Sequence, residues 1–172
     1  MTRETTWSGA IVLNGNVTVA NGTTLTISPG TLFDAGDDHW LRVEGSLFAT
    51  DTTFFSSVTP LTQGSHGAGL WVGLQVESNG HAQLTDVVIN NSKTAVRNHG
   101  ILTASALAIN DAYIGINNGG SATLSDVVAN DVDYDVVRST GALSIEEATF
   151  TNVAGGIISS GSSDVSDVSF YQ

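Results

Sequence analysis

The chain has 172 residues, 41% of them hydrophobic and 13% charged, with 17 acidic side chains against five lysines and arginines and a net charge of −12. Such a chain folds around a core of its own. So few cations exclude nucleic acid and anionic membrane surfaces as partners, because phosphate binding needs clustered Lys and Arg. Cysteine is absent, which removes disulfides, thiolate chemistry and Cys-ligated zinc. No apolar run approaches the roughly 20 residues of a membrane-spanning helix, so no membrane insertion is expected.

In chain order, residues 1–15 read MTRETTWSGAIVLNG, with no apolar stretch of the secretory-signal kind. They are expected to form a partial entry coil. Residues 16–80 hold two longer units, bounded by Gly15, Gly45 and Gly80 at intervals of 30 and 35. Their extra length predicts side loops around 33–40 and 56–70, the best places for contacts because insertions in repeat proteins collect on one face. From Gly80 the period tightens: Gly100, Gly120, Gly141 and Gly161 follow at 20, 20, 21 and 20. Residues 81–161 are thus regular coils, and 162–172 are a partial final coil.

Aligning on those glycines gives apolar columns. One runs Leu84, Ala104, Leu124, Ile145 and Val165; a second Val87, Leu107, Val127, Ala148 and Val168; a third Ile89, Ile109, Ala129, Phe150 and Phe170. A fourth is read as Ile11, Leu41, Val76, Val96, Ile116, Val137 and Ile157. Leu47, Ala49, Thr52 and Phe54 join the same register. Apolar residues two apart mean short strands, and the step of three between Leu84 and Val87 marks a corner. Short strands, polar corners and about 20 residues per circuit predict a single all-β domain over 1–172, a parallel β-helix of about seven coils, the first two with insertions.

Two polar columns accompany the wall. Asp51, Asp86, Ala106, Asp126, Glu147 and Asp167 mark one corner. Carboxylates stacked at the strand spacing of about 4.8 Å repel. Either they cap turn N–H groups with their charge in solvent, or a calcium ion bridges coils at positions such as Asp126, Glu147 and Asp167. Calcium is the one cofactor this column would take. Asn90, Asn110 and Asn130 lie where the chain turns again, and are expected to form an amide ladder and to tolerate left-handed backbone.

The segments TTWSGAIVLNGNVTVANGTTLTISPGT (5–31) and GLWVGLQVESNGHAQLTDVVINNS (69–92) resemble right-handed parallel β-helix domains of the pectin-lyase-like superfamily. The likeness is to their non-catalytic modules on bacterial and archaeal surface proteins. It implies an extracellular or cell-surface protein with a structural or adhesive role. Enzymes share the fold, and GDDH (36–39) and SHG (65–67) resemble two polygalacturonase motifs. The family's upstream Asn-Thr-Asp and downstream Arg-x-Lys have no counterpart here, and Arg97 and Arg138 have no clear acidic partner in sequence. No catalytic residue is assigned.

Asp34, Asp37, Asp38 and His39, with His66, are the remaining metal candidates. Trp40, His66 and Trp71 are the candidates for binding a glycan or a cell-surface partner. The open ends of a solenoid present unpaired strand edges. Trp7 and Ile11 at one end, and Val168, Phe170 and Tyr171 at the other, are candidates for end-to-end self-association, the two fragments being read as half-coils that complete each other.

Overall fold

Apolar side chains alternate inward along short strands, and each run is interrupted where the chain must turn, so the polypeptide winds rather than folds back. The computed structural model describes residues 3–57 and 70–172, and among these all regular structure is β. The first coils use separate strands: β1 (Arg3–Trp7), β2 (Ala10–Val12), β3 (Val17–Val19), β4 (Thr23–Ile27), β5 (Thr31–Asp34) and β6 (Trp40–Val43). β7 (Ser46–Phe55) rounds a corner, and β8 (Gly73–Val76) completes its coil. β9 (His81–Asn98), β10 (Ile101–Asn118), β11 (Ser121–Ser139) and β12 (Ala142–Ser159) each wrap a whole circuit, and β13 (Ser163–Tyr171) ends the stack.

All pairings are parallel and define three faces. The first stacks 3–7, 23–27, 46–50, 81–85, 101–105, 121–125, 142–146 and 163–166. The second stacks 10–12, 31–34, 52–55, 87–90, 107–110, 127–130, 148–151 and 168–171. The third stacks 17–19, 40–43, 73–76, 96–98, 116–118, 137–139 and 157–159. The result is a parallel β-solenoid of about seven turns around one continuous core. Aromatic rings thread that core: Trp7 stacks on Phe33 at 5.8 Å, Phe33 meets Phe54 at 5.0 Å, and Phe54 stacks on Trp71 at 5.9 Å.

The first three apolar columns hold as read, but the fourth needs correction at two positions. Ile11 pairs with Phe33 and so belongs to the second face, above Phe54 and Ile89. Val17 opens the third-face column in its place, and Leu74 rather than Val76 pairs with Val96. The cause is the glycine alignment. Gly15 precedes the third face, whereas Gly45, Gly80 and their successors follow it. Residues 3–19 therefore make a full first coil and not a half, while the last coil covers the first two faces only.

Close approach explains the glycine column. A Cβ on Gly80 would lie 2.1 Å from the carbonyl oxygen of Val43, on Gly120 2.2 Å from that of Gly100, and on Gly141 2.0 Å from that of Gly120. Any side chain there would push successive coils apart.

Candidate functional site

From Asp51 onward the corner between the first and second faces is one residue wide. Its occupants, Asp51, Asp86, Ala106, Asp126, Glu147 and Asp167, all have φ between 45° and 58°, and Gly9 and Gly30 continue the column at 79° and 75°. Asp tolerates left-handed backbone better than most residues, which gives the repeated carboxylate a backbone reason. The side chains of Asp51, Asp86, Asp126 and Asp167 are exposed and cap no turn N–H among the described residues. The second corner repeats the device one residue after the asparagine ladder, at Asn91, Asp111, Asp131 and Asn152 with φ of 52–55°. Asn90, Asn110 and Asn130 themselves stay in the strand register, a correction to the left-handed role expected of them.

The ladder itself is present. Asn110 Nδ2 donates to Asn90 Oδ1 at 2.8 Å and Asn130 Nδ2 to Asn110 Oδ1 at 2.9 Å. A second, fully buried ladder escaped the sequence reading. Asn98 Nδ2 donates to Asn118 Oδ1 at 2.7 Å, and Asn118 Nδ2 donates to Ser139 Oγ at 2.9 Å. Its signal was a polar residue two positions before the column glycine, in NHG, NGG and STG.

The metal candidates of the inserted coil are not gathered. Asp34 accepts the Gly36 N–H at 2.9 Å and the Ser57 N–H at 3.1 Å, which makes it a turn staple. Burial alone would raise its pKa, but the Ser57 hydroxyl and those two N–H groups outweigh burial and hold the carboxyl below its ordinary value. Asp38 pairs with Lys93, and His39 Nδ1 lies 3.1 Å from the Ala35 carbonyl. Among the described residues no three His, Asp or Glu side chains are grouped to hold a metal ion. His66 lies outside the described residues. Asp126, Glu147 and Asp167 stand in consecutive coils along the first corner.

Trp71 is a core side chain. It is fully buried and its Nε1 donates to the Asn90 carbonyl at 3.1 Å, so its ring is closed to a glycan. Trp40 differs: it is half-buried on the outside of the third face, and the Arg42 guanidinium lies 5.3 Å over its ring. Arg42 Nε stands 3.2 Å from Glu77 Oε1, and Arg42 Nη2 donates to Gln75 Oε1 at 3.4 Å. Beside them Asn21, Arg42, Glu44, Glu77, Ser78 and Asn79 line an open groove of about 380 Å³.

The one regular coil with an extra residue was also missed as a site. The register slips between Val132 and Asp135, which accounts for the interval of 21. The slip seats Asp135 in a buried position, where Arg138 binds it through Nε at 3.1 Å and Nη2 at 2.8 Å. Arg138 therefore has the acidic partner that the sequence did not reveal. Its guanidinium also lies 5.0 Å over Tyr134, which stacks on Tyr113 at 5.6 Å.

No protein-family model, curated protein or solved structure matches this chain. The class that the structure defines is the parallel β-solenoid, a rod with a continuous apolar core and polar corners.

Proposed function

We propose that this chain is a non-catalytic structural rod whose ends accept further parallel coils, those of a second copy in the purified protein. The observation that carries this is the condition of the two end coils. At one end β1, β2 and β3 each pair on one side only; at the other, β13 and residues 157–159 do the same. Apolar side chains crowd the second of these ends, with Ile158 54%, Val165 41%, Phe170 58% and Tyr171 57% exposed. Unblocked edges of this kind pair with other strands.

The columns continue through such a joint. Val165 ends the column that Trp7 begins, and Phe170 ends the one that Ile11 begins. Asp167, left-handed at 53°, ends the corner that Gly9 opens. The third face has no strand in the final coil, so a joined stack is short by one strand there, a notch of about 4.8 Å. Two faces would carry the joint. A head-to-tail contact does not close on itself and propagates. Likeness to surface modules supports an extracellular or cell-surface setting, where a rod displays its outer faces to adhesive partners.

Sedimentation velocity across a wide concentration range tests this reading. Wild type is expected to grow with concentration, while Phe170→Asp and Val165→Asp keep their circular dichroism and stay monomeric. Wild type that remains monomeric throughout would overturn it.

A further inference from the structure

The three faces carry unequal numbers of strands. Among the described residues eight strands stack on the first face and eight on the second, but seven on the third. The third face ends on residues 157–159, which pair with Val137, Arg138 and Ser139 on one side and with no described strand on the other. The final coil therefore has two walls. Val165 and Phe170 line it, 41% and 58% exposed, where Ile145 and Phe150 one coil below are 2% and 0% exposed. The Phe170 ring leans over the backbone that leads into this edge, since a Cβ on Gly156 would lie 2.7 Å from its Cε1.

A polar column inside the third face ends at the same place. Its register runs Asn98, Asn118, Ser139 and Ser159. Asn98 Nδ2 donates up the column to Asn118, and Asn118 Nδ2 to Ser139. Ser159 Oγ ends the column, covered and without a hydrogen-bond partner among the described residues. Its hydroxyl rotates to suit an acceptor, and a partner in a following coil would recover what an orphaned polar group costs. Two positions earlier the inward column is apolar: Val96, Ile116, Val137 and Ile157. Four successive coils thus spell an apolar residue, any residue, then Asn or Ser, which states what the next strand on this face must carry. A second copy joined head to tail does not supply that strand. Its described residues open on the first face at Arg3, and its own third face begins only with Val17–Val19.

We infer that the edge at 157–159 takes up an extended peptide segment of another polypeptide as an added parallel strand, with an apolar residue over Ile157 and Asn or Ser over Ser159. The unpaired backbone groups of the edge supply the affinity, and the two inward positions supply the selection. The apolar side chain closes the open side of the final coil beside Val165 and Phe170. The polar one accepts from Ser159 Oγ and extends the column. The residue between them lies over Ile158, which is 54% exposed, and is free to vary. This deepens the proposed function: it rests on the open final coil of that reading, not on self-assembly, and names what fills the notch.

The test is an NMR titration of isotope-labelled protein, at a concentration where it sediments as a monomer, with the end-blocked peptide DAYIGINNGG, a copy of residues 111–120. The copy is itself acidic, so charge attraction to a chain of net charge −12 does not drive binding. Saturable shifts of the amide resonances of residues 157–160 are expected, and Ile116→Asp in the peptide is expected to abolish them. Ser159→Ala in the protein is expected to weaken binding about fivefold, the loss of one hydrogen bond. Its urea midpoint is expected to hold or rise, because an orphaned hydroxyl is gone. No binding, shifts centred elsewhere, or wild-type affinity in Ser159→Ala would overturn the inference. Sedimentation without peptide scores assembly separately. A chain that assembles but takes up no peptide overturns this inference alone, and a chain that takes up peptide without ever assembling supports it.

Discussion

Ala106 and Glu147 hold φ of 50° and 58° at corners where neighbouring coils use Asp, and an L-residue with an ordinary side chain is strained there. That strain is about 1 kcal/mol, and Asn relieves part of it by bonding locally to its own backbone. Ala106→Asn is therefore expected to stabilise the protein by about 0.5–1 kcal/mol, seen as a higher urea midpoint. The carboxylates divide by environment. Burial raises the Asp111 carboxyl above its ordinary 3.8, helped by the charges of Asp131 and Asp133. Its contribution is full below pH 3.8 and is lost as pH rises through its raised folded value. Asp34, held low, stabilises above 3.8, and that help is lost as pH falls through its depressed folded value. In thermal melts, Asp111→Asn is expected to raise Tm at neutral pH with the gain vanishing in acid. Asp34→Ala is expected to lower Tm at neutral pH and to cost little in acid. The corner was legible because Asp recurs at a fixed period. Its reason was not, since a dihedral angle leaves no mark in sequence beyond a preference for Asp, Asn and Gly. Gly and Asp sharing the first corner, and Asn and Asp the second, was the available clue.

The repeating coil shows the same division between pattern and cause. A period of 20 gave the wall, because inward side chains must alternate, and Leu84, Val87 and Ile89 stack on Leu124, Val127 and Ala129 two coils on. Glycines gave the period, yet their stacking contact is a backbone-to-backbone approach that only coordinates reveal. Gly120→Ala would bring a Cβ to 2.2 Å from the Gly100 oxygen and 2.6 Å from the His99 carbonyl carbon. Two coils must then separate, and a loss of about 3 kcal/mol is expected, measured by urea unfolding. Gly15→Ala is the control: nothing lies within 4 Å of a Cβ there. That freedom also explains why Gly15 misled the register of the first coil and drew Ile11 into the wrong column. Sequence marked the two long coils as places of contact. It passed over the one-residue slip at Val132 and Asp135, because an interval of 21 looks like noise until Asp135 is found buried beneath Arg138. Of the candidate site, Trp40 was named in advance. Its strand neighbour Arg42 was not, nor were Gln75 and Glu77, which come from the next coil, Gln75 lying 33 residues from its register partner Arg42.

The whole molecule is a stack of about seven turns with a core running from Trp7 to Val168 and no described strand covering either end. Its stability is a sum over neighbouring coils, so each end coil gains when another coil lies on it. In the proposed head-to-tail joint the first-face and second-face columns would continue without change of register, and the third face would leave a notch. Assemblies built this way lengthen along the rod axis and keep the width of one molecule. Electron cryomicroscopy of concentrated wild-type protein measures this most directly. The account predicts filaments one solenoid wide, with an axial layer line at about 4.8 Å that is absent from Phe170→Asp samples. Particles that never exceed one molecule in length, or that associate side by side, would contradict it.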